Sequence, residues 1–304
     1  MSIMWLLISL IGYAAAAVVS ILDKFILTNE KVSPLKFVFY STVFIAPLFL
    51  LAPWVPAPQG FVNWLAAILT GFCFAGGLWT MYLGIAKSEI SHIGPLIGGA
   101  IPLFILLFSY LFLGELISTQ QLVAIFLLAL GSLLIASEYT GRRQELRGAI
   151  GWGLVAAILF AISHVASKYL YNEIGFSGGL VWGRSFTGLF GLIILAVPAT
   201  WKYIFTPRRF HILKQKKSFV AITLIALDKI LAVASLLLIQ YAIFLGSVTI
   251  VNALAGVQYA FLLILVGVMS KFFPKRFREE YSRAEIIQEI ISVLVISLGL
   301  ILLL

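Results

Sequence analysis

Charge is scarce in this chain of 304 residues: Asp, Glu, Lys and Arg make up 11% of it, against roughly 25% in a soluble globular protein. With 62% hydrophobic residues, that scarcity excludes an ordinary pair of soluble domains and makes lipid the solvent that fits. Cysteine is scarcer still. The single Cys73 sits inside an apolar run, so neither an intrachain disulfide nor a cysteine-based metal cluster can form, and packing is its expected role. No phosphate cradle of the Walker form is present, and no histidines stand at metal-ligand spacing. ATP-driven pumping and metal catalysis are unsupported, and no cofactor is expected. The formal charge of +9 does not point to nucleic acid, because the basic residues lie in short loops between apolar stretches rather than along one face or in a tail.

What the chain has in abundance is long apolar runs. A spanning helix needs about 20 mainly apolar residues, and ten such stretches are marked: Ile3 to Leu22, Leu35 to Leu51, Phe61 to Gly84, Ile90 to Leu113, Gln121 to Ala136, Ile150 to Leu170, Gly178 to Pro198, Phe219 to Leu245, Val248 to Ser270, and Ala284 to Leu304. The first has a small-residue stretch, Ala14 to Ala17, like a signal-peptide cleavage site, but no positive segment precedes it. It is expected to remain as a span.

All but three of the 21 Lys and Arg residues fall in or beside the connections after spans one, three, five, seven and nine. The exceptions are Lys168, Arg184 and Lys229. By the positive-inside rule the odd-numbered connections are cytoplasmic and both termini face outward. The clusters around Arg208 to Lys217 and Lys271 to Arg283 carry most of that signal.

The two halves of the chain, 1–140 and 141–304, read as a repeat. An offset of 144 residues sets Lys24 on Lys168 and, with one residue skipped, aligns Asp23 to Glu30 with Ser167 to Glu173. Further on, an offset of 159 sets Tyr82 to Ala86 against Tyr241 to Leu245, each followed by a serine-centred connection at Ser88 or Ser247. Five spans per half means that the second half enters the membrane from the opposite side. The expected fold is therefore all-α and polytopic, with ten transmembrane helices as two inverted five-helix repeats and a solute site near the midplane between them.

The hairpin from Tyr82 to Glu115, with Pro102 and the ending Leu111-Phe112-Leu113-Gly114-Glu115-Leu116-Ile117-Ser118, resembles the EamA-type branch of the drug/metabolite transporter superfamily. The resemblance implies a ten-helix exporter or importer of amino acids, nucleosides, amines or other metabolites. It also implies that helices one, three, four, six, eight and nine surround a central cavity. In most ten-helix relatives the termini lie inside, opposite to what the charges here predict. The second half fits the pattern less closely, with Phe261 where the first half has Pro102 and no Gly-Glu ending.

Charged residues deep in a span usually face a cavity or a partner, because leaving them in hydrocarbon costs a few kcal/mol or more. Asp228 and Lys229 lie near the middle of span eight. Either Asp228 binds a cationic group or a coupling proton while Lys229 neutralises it, or the two are a charge pair buried for structure. Asp228, Ala232 and Ser235 share one helical face and Lys229, Leu236 and Gln240 another, with Tyr241 toward the outer end. Span three offers Thr70, Phe74, Trp79 and Tyr82 as an aromatic wall. Span nine adds Asn252 and Gln258, either as solute contacts or as interhelical glue.

His164 precedes Lys168 by one turn and is read as a proton relay or a satisfied core histidine. Arg184 either snorkels to the interface or meets substrate or lipid, and Lys24 and Lys168 share that ambiguity. His92 near an interface and His211 in a basic loop carry no assigned chemistry. Pro102, with the glycines around it in span four, is a candidate gating bend. The sum predicts a secondary transporter in the cell membrane, moving a small polar or amphipathic solute by alternating access, with membrane lipid its other partner. The alternative is a lipid-linked substrate flippase or an intramembrane enzyme using Asp228, His164 and Lys229.

Overall fold

A computed structural model describes residues 4–27, 34–86, 90–136, 143–204, 218–272 and 283–303. The Ser88 connection, His211 and the basic positions at 208–217 and 275–278 lie outside them, as do the side chains of Lys24 and His92. Every regular element among the described residues is helical, as lipid requires of an open chain whose backbone must be hydrogen-bonded internally. We number the spans α1 (Met4–Leu27), α2 (Pro34–Val43), α3 (Gly60–Ile85), α4 (Ile90–Leu113), α5 (Thr119–Ala136), α6 (143–174), α7 (176–196), α8 (Ser218–Leu245), α9 (Val248–Ala253 continued by Ala255–Phe272) and α10 (Arg283–Leu303). A short helix, Pro198–Ile204, follows α7. Among the described residues these make ten largely apolar segments once Gly148–Ala196 is divided at Gly175, those of α5 and α10 being too short to cross by length alone.

The second span is not one α-helix. After Val43 it tightens into a 3-10 helix, Ala46–Trp54, that carries Pro47 and Pro53. A proline has no N–H to donate, and its ring clashes with the carbonyl four residues back. The backbone therefore shifts to short bonds, Ile45 N–H to Thr42 O and Leu48 N–H to Ile45 O, both 3.0 Å. The join between α6 and α7 is also tighter than a loop. Both helices run up to Gly175, whose φ of 74° and ψ of 174° belong to a region open essentially to glycine alone.

At the end of α4 another positive-φ glycine, Gly114, turns the chain. The Glu115 N–H then bonds back to Ser109 O at 3.2 Å. Near this turn Ser247 caps α9, its hydroxyl accepting the Ile250 N–H at 3.0 Å.

Packing follows a few pairings: α3 lies on α6 and α7, α1 on α8, α5 on α10, and α4 against α5, α6 and α9. The helices α3 and α7 approach closely. A Cβ on Gly71 would stand 2.4 Å from the Phe186 Cβ, and one on Gly183 would stand 2.5 Å from the Thr70 methyl. Two glycines thus remove the side chains that would hold the backbones apart, the small-residue mode of contact expected where lipid tails give no hydrophobic push. Outward faces are apolar, as on α10, where Ile287, Ile290, Ile291, Leu294, Leu298 and Ile301 are exposed at helical spacing.

Gly71→Ala forces a methyl into Phe186 and the α7 backbone. It is expected to lower the melting temperature of purified protein by the equivalent of about 1–3 kcal/mol, the usual cost of overpacking. Gly151→Ala, where nothing lies within 4 Å, is expected to leave it unchanged or raise it. Equal melting temperatures for the two variants would count against the tight α3–α7 contact.

Candidate functional site

The glycine contact between α3 and α7 sets the level of a buried polar cluster. Arg184 follows Gly183 and is only 4% exposed; its Cζ lies 4.1 Å from the centroid of the Phe74 ring, one turn along α3 from Thr70. Its Nη1 has no hydrogen-bond partner, and the same holds for His164 Nδ1 on α6 and Thr70 Oγ1. The preceding α6 residue, Ser163, donates to Thr70 O at 2.7 Å, so Thr70, His164 and Arg184 come to one level from three helices. His164 and Tyr171 are both close enough to feel the guanidinium electrostatically. Arg184 therefore does not reach for the interface.

Toward the end of the bundle where α6 meets α7, Tyr171 donates to Gln240 Oε1 on α8 at 2.7 Å. Tyr171, Phe176, Tyr241 and Phe244 pack ring against ring there, with centroids 5.1 to 6.3 Å apart. Lys168 is fully engaged at this end. Its ammonium donates to the carbonyls of Ile243, Phe244 and Gly246 at 2.9, 3.0 and 2.8 Å. Those groups belong to the last turn of α8, where backbone acceptors lack helical partners and the helix dipole favours a cation. Beside this cap, Thr249 on α9 donates to Glu115 Oε2 at 2.7 Å and lies 2.8 Å from the Ser109 hydroxyl on α4.

Asp228 and Lys229 form a second locus. The Asp228 side chain is fully buried while that of Lys229 is 65% exposed, and the ammonium lies 2.8 Å from Oδ2. The two are thus paired with each other, although neither carboxylate oxygen has an aligned hydrogen bond. Two turns along the same side of α8, Ser235 donates to Gly12 O at 2.9 Å, which turns the Asp228 face toward α1. Gln240 is about 18 Å further along the axis and serves Tyr171 instead.

The remaining sequence candidates scatter. Trp79 meets Phe190 on α7 edge to face, and Tyr82 packs on the Val38, Phe39 and Ile194 cluster, so both look toward α2 and α7. The Asn252 amide returns to its own helix at Val248 O, 2.8 Å, and Gln258 Nε2 lies 3.5 Å from Ser20 Oγ. Pro102 is buried inside a continuous α4. Sequence reasoning assigned no role to Glu115, Ser109, Thr249 or Tyr171. The acidic residue following Gly114 at a helix end was the one visible signal for the first of them.

Ten largely apolar helices with charged side chains buried between them define a multi-pass membrane protein. Residues 1–137, which hold the first five spans, match the EamA-like transporter family, in line with the resemblance carried by the α3–α4 hairpin. Over the whole chain the fold has a solved counterpart. A crystal structure described only as that of a protein aligns with a TM-score of 0.64 at 15% identity, covering 97% of this chain and 95% of that one. No curated protein matches the sequence significantly.

Lys168→Met deletes three charge-assisted hydrogen bonds, each worth about 1.5–3 kcal/mol and not additive. It is expected to lower the melting temperature more than Tyr171→Phe, which loses a single neutral bond of about 1 kcal/mol. The reverse ranking would show that Lys168 is not the cap of α8.

Proposed function

We propose that the protein is a secondary transporter that moves a small polar or amphipathic metabolite across the cell membrane by alternating access, its halves 1–140 and 141–304 acting as inverted repeats. The observation that carries this reading is the way the halves meet. The match to a transporter family spans the first half, and each of its helices α3, α4 and α5 packs against the second. The contacts pair off as an inverted repeat requires, α3 on α6 being answered by α8 on α1, and α4–α9 and α5–α10 being self-paired. Polar groups buried on this seam, Arg184 over Phe74 and Asp228 on the α1 side of α8, are the proposed solute and coupling groups. The links from Glu115 and Ser109 to Thr249 tie the two halves at one end. Breaking them while the opposite end closes is the proposed gating step. Asp228, paired with Lys229, is the proposed proton carrier, since a buried carboxylate exchanging one neighbour for a proton changes its charge without leaving the bundle.

Two measurements test this. In proteoliposomes with an imposed pH gradient, wild-type protein is expected to drive accumulation of a labelled solute drawn from amino acid, amine and nucleoside panels. In Asp228→Asn that accumulation is expected to vanish while solute exchange persists. Unaltered pH-driven accumulation in the variant removes Asp228 from the coupling role, and no flux of any solute defeats the transporter reading.

The proposed orientation, with odd-numbered connections cytoplasmic, is tested by single-cysteine labelling in a Cys73→Ser background. A cysteine at 209 is expected to react with an impermeant maleimide only in inside-out vesicles, and one at 57 only in intact cells. The opposite pattern inverts the topology.

A further inference from the structure

We infer that Arg184 anchors a binding site for a monovalent organic anion, a carboxylate carried on an apolar or aromatic body, at the level where α3, α6 and α7 meet. A buried guanidinium without a carboxylate partner is strongly unfavourable, and no ion pair to Arg184 occurs among the described residues. Phe74 covers one side of it, a contact that attracts the cation through the ring's quadrupole but accepts none of its five N–H donors. Nη1 is left with nothing to bond to, as are His164 Nδ1 and Thr70 Oγ1 at the same level. Native proteins leave few buried polar groups unpaired. Three of them converging from three helices at one level mark a missing partner, and a planar two-oxygen acceptor matches the guanidinium fork.

Charge balance selects among anions. Lys168 on α6 is committed to three carbonyls of the α8 end, which leaves the one positive charge of Arg184 for the ligand. A dianion would carry an unbalanced charge into a dry site; a monocarboxylate does not. The walls favour an apolar or aromatic body, because Phe74 meets Phe160 edge to face at 5.5 Å and Phe160 packs against Gly77. Calling the anion cargo rests on the transporter reading, whereas its binding does not.

The test uses full-length protein in detergent, with melting temperature followed as benzoate, benzyl alcohol, benzylamine and inorganic phosphate are titrated, since a ligand of the folded state raises it. Benzoate is expected to stabilise wild-type protein saturably, and its neutral and cationic analogues are expected not to. The apparent affinity is expected to fall at least tenfold in Arg184→Gln and to recover partly in Arg184→Lys. Equal response to benzoate in wild type and Arg184→Gln overturns the proposal, as does equal response of wild type to benzyl alcohol. A stronger response to phosphate than to benzoate overturns the monoanion assignment.

If Arg184→Gln does not fold, Phe74→Leu and Thr70→Ala take its place, each expected to weaken benzoate at least threefold; unchanged affinity in both overturns the site. Counterflow of labelled benzoate in proteoliposomes separates the two readings. Benzoate binding without flux defeats transport and keeps the site, while flux of an amine or nucleoside without benzoate binding keeps transport and defeats the site.

Discussion

Hydrocarbon offers no hydrogen bonds, and almost every feature of this protein answers to that constraint. It forces the backbone into helices, and it makes each helix end and each buried polar side chain a debt to be settled inside the protein. Where α8 runs out of partners, a lysine from α6 supplies three donors. Where α4 ends, Gly114 turns the chain so that Glu115 meets both the Ser109 carbonyl and the Thr249 hydroxyl. Where proline denies the second span its α-helical bond, the chain winds more tightly instead of breaking. Against that background the unbonded Nη1 of Arg184, with His164 Nδ1 and Thr70 Oγ1 at its level, stands out.

The same constraint explains why the fold was legible. Runs of about 20 apolar residues have few readings, so the ten spans and the multi-pass class came from patterns that lipid imposes on any sequence, while the resemblance came from particular residues between Tyr82 and Ser118. Details that depend on one residue were present but ambiguous. Pro47 and Pro53 announce a disturbed helix without saying that it becomes a 3-10 helix. Gly175 is one of 25 glycines, and only its backbone angles show that it alone separates two helices.

The site was less legible because a helix has no intrinsic inside. Arg184 lies close enough to a helix end to snorkel, and what prevents it is Gly183 fitting over Thr70, a tertiary fact. Trp79 and Tyr82 were read with Thr70 and Phe74 as one aromatic wall, and α3 turns them to α2 and α7. Asp228 and Lys229 start from different helical faces, and their side chains bend into the contact that the sequence reading allowed. Helical spacing says which residues share a side, but not which side meets a neighbour.

The one-residue junction at Gly175 has a mechanical meaning. It leaves no slack between α6 and α7, so His164, Lys168, Tyr171 and Arg184 ride on a single stiff hairpin. One arm of that hairpin grips the end of α8 and the other carries Arg184, whose Nη1 is unbonded. The anion proposed at Arg184 and the cap of α8 therefore sit on one continuous hairpin.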